Sequence, residues 1–273
     1  MDWLNAQPIW VVGTLLFAIF WLAAFIGRMF HRPVSDKAGS GAESGEPGLI
    51  VSASLGLLAL LLGFTVSMAV SRYDQRRVAT LQEANAIGTF LYRTDLMPAN
   101  LRAETRQALD HYINARLQVG SLGEQTEDLA QAKRITAEAQ AQMWAVVLAV
   151  RAEVPEESVK LLIVESANQM FDMATARDAA LSARLPTTLV LLLLFFPVAS
   201  LMLIGYISGK SLGVHVLAST ELIVLLTLVL LLIADLNRPR SGTILTPQGP
   251  LIDVRAQLDA SRAASATSLP ASE

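Results

Sequence analysis

The sequence predicts an all-α membrane protein: four transmembrane helices, with a helical cytoplasmic domain between the second and third. Three observations predict it. Long apolar runs recur four times, the charged region among them carries apolar residues at steps of three and four, and no stretch alternates as a half-buried strand would. Of the 273 residues, 53% are hydrophobic and only 16% charged. A net charge of −3 leaves no broad basic surface, so nucleic acid is not an expected partner. The absence of cysteine excludes disulfides, thiolate metal sites and a cysteine nucleophile. His31, His111 and His215 lie far apart without a second ligand at helical spacing, so neither metal nor cofactor is expected.

The second span anchors the organisation. Leu49–Ser71 contains no charge and is long enough to cross a hydrocarbon core of roughly 30 Å. No helix breaker follows it, so one helix is expected to continue through Arg72, Tyr73, Asp74, Arg76 and Arg77 to Tyr92. Ser52 with Gly56, and Gly63 with Ser67, form two small-xxx-small pairs that would let another helix approach closely in lipid.

Residues 1–48 read as a first span and a flexible linker. The apolar run Ile9–Phe30 lacks the preceding basic segment of a secretory signal, so it is expected to be retained. Trp3, Trp10 and Trp21 are candidate interface anchors. The linker, His31–Gly48, is rich in glycine, serine and mixed charge.

Residues 72–186 read as the helical domain. The order Asp95-Leu96-Met97-Pro98 predicts a turn, because the residue before proline is pushed out of the α region. Leu101, Thr105, Ala108, Leu109, Tyr112 and Ile113 then mark one helix face. Leu129, Ala132, Ile135, Ala139, Met143, Val146 and Val150 mark a second after the break at Gly120–Gly123. Pro155, Glu156 and Glu157 signal the start of a third, ending at Pro186.

Residues 187–236 read as a hairpin of two spans, the first containing Pro197. The uncharged stretch Leu222–Ala234 is only about 20 Å long as a helix, too short to cross. The fourth span must therefore begin near Val214 and take Glu221 into the membrane. Residues 237–273 read as a cytoplasmic tail, alanine- and serine-rich from Asp253 and expected to be disordered. Arg72, Arg76, Arg77, Arg184, Arg238 and Arg240 flank one side of the spans, against Arg28, Arg32, Lys37 and Lys210 on the other. The positive-inside rule then places both termini and the large domain in the cytoplasm.

Several groups admit two readings. Arg72, Arg76 and Arg77 serve as a positive-inside anchor or as the anion-attracting mouth of a pore. Glu83 and Asn85 line a vestibule or pair with Arg93 or Arg102. Glu221, an ionisable group at membrane depth, faces the bundle interior as part of a pathway, or is a shallow carboxylate that snorkels or bonds Ser219, Thr220 or Thr65. His215 reads as an interface residue. Asn168, Asp172, Arg177 and Asp178 lack a nucleophile–base–orienter set, so an ion-paired helix surface explains them better than catalysis, and the chain is not read as an enzyme.

The run Leu57–Arg77 resembles the pore-helix segment of bestrophins, with Gly63-Phe64 inside the apolar helix and Tyr73-Asp74 after it; Gln75, Arg76 and Arg77 replace the residues usual there. More closely, the chain from Leu49 to about Leu258 resembles a bacterial family of four-span, bestrophin-like proteins of unknown function. That likeness is carried by Arg72-Tyr73-Asp74, Glu83-Ala84-Asn85-Ala86-Ile87-Gly88, Arg93-Thr94-Asp95-Leu96-Met97-Pro98 and Asp235-Leu236-Asn237-Arg238-Pro239-Arg240. The resemblance implies a bacterial inner-membrane protein and a homo-oligomer, pentameric if bestrophin-like, that passes inorganic ions. The second span would line the pore, with Leu57, Leu61 and Phe64 as a hydrophobic neck. A non-conducting helical scaffold that binds a partner is the alternative.

Overall fold

The computed structural model describes residues 7–31, 46–123, 127–208 and 214–267. Most of the linker, Trp3, Arg32, Lys37, Lys210 and the His215 side chain fall outside what is described, as does the end of the tail. The helices are α1 (Ile9–Met29), α2 (Glu46–Arg93), α3 (Ala99–Ser121), α4 (Glu127–Glu153), α5 (Glu157–Ser182), α6 (Thr187–Ser208), α7 (Val214–Leu236) and α8 (Gly249–Thr267), with a 3-10 turn at Thr94–Leu96. No strand occurs among the described residues. Four of the helices are long and apolar enough to cross a membrane.

The chain divides into two compact units. The first holds α1, the start of α2 to Ser71, and α6 and α7. Phe20, Leu58, Leu62, Leu193, Leu201, Ile223 and Leu230 form its core. Helices α1 and α6 run in the same direction and approach closely. A Cβ on Gly27 would collide with the Met202 carbonyl oxygen, and one on Gly205 with that of Ala24. Small residues thus set this packing, as in other lipid-embedded helix pairs. The expected small-residue face of α2 does not take part: a Cβ on Gly56 or Gly63 meets nothing within 4 Å.

The second unit begins at Arg72. Ile87 and Phe90 of α2, Leu101, Leu109 and Ile113 of α3, Met143 and Val150 of α4, and Ile163 and Met170 of α5 share one core. Apolar residues spaced at three and four bury one face of each helix, the ordinary source of helical stability in water. The turn before α3 follows its proline: Met97 is extended (ψ 153°), and Pro98 caps the helix.

The tail departs from expectation. Instead of disorder from Asp253, α8 forms over Gly249–Thr267. Leu251, Val254 and Leu258 are buried in the second unit's core, at steps of three and four. Helix α8 passes beside Gly88, where a Cβ would meet Val254 and Gln257 at ordinary contact distance. The alanine- and serine-rich end concealed an amphipathic start.

Candidate functional site

On α2, the sequence places Leu57, Leu61 and Phe64 together, but the structure separates them. Leu57 (52% exposed) and Phe64 (66%) point away from the bundle, whereas Leu61 is half-buried against the membrane core. At 100° per residue Leu61 lies 40° from Leu57, towards buried Leu58, Leu62 and Thr65. Leu60 (56% exposed) takes its place on the open face, with Gly56, Gly63 and Ser67. This face is apolar and contains small residues, and among the described residues nothing lies within 4 Å of a Cβ placed on Gly56 or Gly63.

The arginines after the span are not equivalent. Arg76 is buried, Arg72 is half-buried and Arg77 is exposed. Arg77 meets Asp74 at 3.5 Å and lies 6.0 Å over the Tyr73 ring. They therefore do not present three charges to one aqueous mouth in a single chain. Glu221 is exposed, so it does not face the interior of its own bundle. It sits seven residues into α7, about 10 Å along the helix axis. The Thr220 hydroxyl donates to the Val216 carbonyl and that of Thr65 to the Leu61 carbonyl, so each is committed to its own helix.

Glu83 is fully buried, and its partners are Arg116 and Arg177 rather than Arg93 or Arg102. Arg116 Nε donates to Glu83 Oε1, and Arg177 donates to Glu83 Oε2 at 2.8 Å. Arg116 also grips Asp178 with both terminal nitrogens, at 3.0 and 3.1 Å. Burial opposes the Arg116 charge, but Glu83 and Asp178 outweigh it and hold its pKa above the ordinary arginine value. Tyr112 lies in the same cluster, its hydroxyl pKa pushed up chiefly by burial. Arg177 and Asp178 thus belong to a cross-helix ion network, not to an ion-paired surface. Asn85, two residues on, is exposed. Arg93 instead donates to the Leu162 carbonyl, and Arg102 to those of Asp95 and Met97. Arg116 and Arg177 carry a signal in the sequence: each falls on the apolar stripe of its helix, four residues from Tyr112 and from Leu181, where an arginine needs a buried anion.

The second motif region also resolves into separate tasks. Asp235 accepts from Thr243 N at 2.7 Å, Thr243 Oγ1 at 2.6 Å and Ile244 N at 3.0 Å, tying the returning loop to the end of α7. Asn237 accepts from Leu185 N at 2.9 Å, just before α6 begins. Arg238 donates to the Gln7 carbonyl at 2.7 Å, just before α1 begins. Burial lowers the Arg238 pKa, with Asp235 opposing. In the second unit Arg240 donates to the Val119 carbonyl near the end of α3.

A four-span helical bundle and a helical extramembrane unit, with one long helix contributing to both, define a class of integral membrane protein. The family model described as Bestrophin-like domain matches residues 18–250. The chain belongs to the Bestrophin-like family. Its fold is similar to two mutant forms of a bacterial bestrophin homologue from Klebsiella pneumoniae, each with a TM-score of 0.63. They are 15% and 14% identical, covering 92% and 93% of this chain and 98% of each homologue chain. A third solved structure, described only as a membrane protein, has a TM-score of 0.60 at 15% identity, over 97% of this chain and all of the other. At these identities the likeness establishes the fold alone. No curated protein matches the sequence.

Proposed function

We propose that this chain is the subunit of a homo-oligomeric ion channel, pentameric if it follows the bestrophins, with α2 of each copy lining the axial path. The observation that carries this reading is the open face of α2. Leu57, Leu60 and Phe64 remain exposed, and Gly56, Gly63 and Ser67 leave room beside them. Around an axis such residues would form an apolar neck that conducts when wetted and closes by dewetting. We assign the protein to the bacterial inner membrane with both termini cytoplasmic, following the arginines at one set of span ends. Family membership supports a channel rather than an enzyme.

The alternative is a non-conducting membrane scaffold. Glu221 favours it, because an intramembrane anion on an exposed face suits neither a simple chloride path nor a lipid contact. The absence of cysteine makes a direct test of assembly possible. A single Gly56→Cys or Ser67→Cys should crosslink neighbouring copies in native membranes, whereas Leu148→Cys on exposed α4 should not. Equal crosslinking at all three positions would remove the support for an α2-lined axis.

A further inference from the structure

We infer that the cavity among α1, α6 and α7 is a binding site for an anionic glycerophospholipid, one acyl chain entering between the helices while Arg184 takes the phosphate at a polar end that the guanidinium of Arg238, tied to the Gln7 carbonyl, makes more positive. The cavity has a volume of about 320 Å³, enough for part of one acyl chain and not for a whole lipid. Its walls include Leu16 of α1, Val190 and Leu193 of α6, and Leu230 of α7. All belong to helices apolar enough to span a membrane. At one end the character changes, to Arg184, Thr187, Asn237 and Arg238. None of the described lining residues is acidic.

This polar end lies where α1 and α6 begin and α7 ends, the level at which the hydrocarbon gives way to lipid headgroups. Helix α6 begins at Thr187, which lines this polar end, so the positive end of its dipole lies at the same place. An apolar shaft closed by two guanidiniums matches a phospholipid in both chemistry and order, and basic pockets between spans take such headgroups. A neutral lipid would fill the shaft but gain nothing from the arginines. A free phosphate would gain only the arginines.

The test is native mass spectrometry of the full-length protein, purified in detergent and titrated with phosphatidylglycerol or with phosphatidylcholine of the same chains. The wild type should retain phosphatidylglycerol preferentially, and excess inorganic phosphate should not displace it. Arg184→Gln should reduce phosphatidylglycerol retention by roughly fivefold and leave phosphatidylcholine unchanged. Val190→Trp, which fills the shaft, should lower retention of both. Arg77→Gln, which removes an exposed arginine elsewhere, should change neither. Equal retention of the two lipids by the wild type would overturn the proposal without recourse to any variant. So would equal losses from Arg184→Gln and Arg77→Gln, or displacement by phosphate alone. Unchanged lipid preference in Val190→Trp with an altered subunit number would assign the cavity to a second copy of the chain and not to lipid.

Discussion

Gly27 and Gly205 sit where α1 and α6 run backbone to backbone, Gly27 beside the Met202 carbonyl and Gly205 beside that of Ala24. Neither position can accept a side chain without moving a helix. Gly27→Leu and Gly205→Leu should each destabilise the membrane unit, at or above the upper end of the ~1–3 kcal/mol found for overpacked cores. A Cβ at Gly63 meets nothing within 4 Å among the described residues, so the effect of Gly63→Leu should fall on assembly. Thermal unfolding alongside size measurement separates the cases: the first two lower the melting temperature, and the third changes subunit number first. A normal melting temperature for Gly205→Leu would contradict the close approach of α1 and α6.

Glu83 balances two buried arginines, so Glu83→Gln should cost about 3–5 kcal/mol by leaving Arg116 and Arg177 without their shared anion. Arg177→Met in that background should recover part of the loss, since it removes one uncompensated cation. Denaturant unfolding of the two variants checks this. Additive losses would argue against coupling.

The spans and the helix faces of the second unit were legible because hydropathy and the 3.6-residue period report directly on burial. The partners of Glu83 were not, since a pairing between α2, α3 and α5 depends on where the helices cross. Arg93 and Arg102 were nearer in sequence and bond to backbone carbonyls instead. The steps of four and three that join Leu57, Leu61 and Phe64 do not say which flank of that line is covered: Leu60 and Leu61 lie on either side of Leu57, and only the neighbouring helices decide. The apolar stripe of α8 was present in Leu251, Val254 and Leu258 but was outweighed by the small residues after it.

Because Leu251, Val254 and Leu258 close the second unit's core, ending the chain after Gln248 should expose that core. The expected outcome is faster proteolysis of the second unit and loss of roughly 3 kcal/mol or more, by analogy with large core truncations. If limited proteolysis and unfolding match the full chain, α8 does not contribute to the core.

Asp235 gathers three hydrogen bonds from Thr243 and Ile244. Asp235→Ala should destabilise by roughly 2 kcal/mol or more, since bonds to a charged acceptor are worth about 1.5–3 kcal/mol each before relaxation. Thr243→Val, which removes one of the three, should cost less. Unfolding midpoints that rank these two variants in the reverse order would show that the loop is held by something else.

Arg76 and Arg77 should behave oppositely although they are neighbours. Arg76→Gln alters a buried side chain and should lower stability, whereas Arg77→Gln alters an exposed pair worth about 1 kcal/mol or less. If the arginines attract anions, Arg77→Gln should reduce anion preference in reconstituted protein while the melting temperature stays near that of the wild type. A large stability loss for Arg77→Gln would be inconsistent with its exposure.

Ion flux through the assembled protein tests the central claim most directly. The measurement is halide entry into liposomes that enclose a halide-sensitive dye, using wild type and Leu57→Ala/Leu60→Ala/Phe64→Ala, with orientation and subunit number verified for both. The channel account predicts flux through the wild type and a larger flux through the alanine variant, whose neck is wider and wetter. Absence of flux from fully assembled, correctly oriented wild type, across several anions and cations, would contradict it and leave the scaffold.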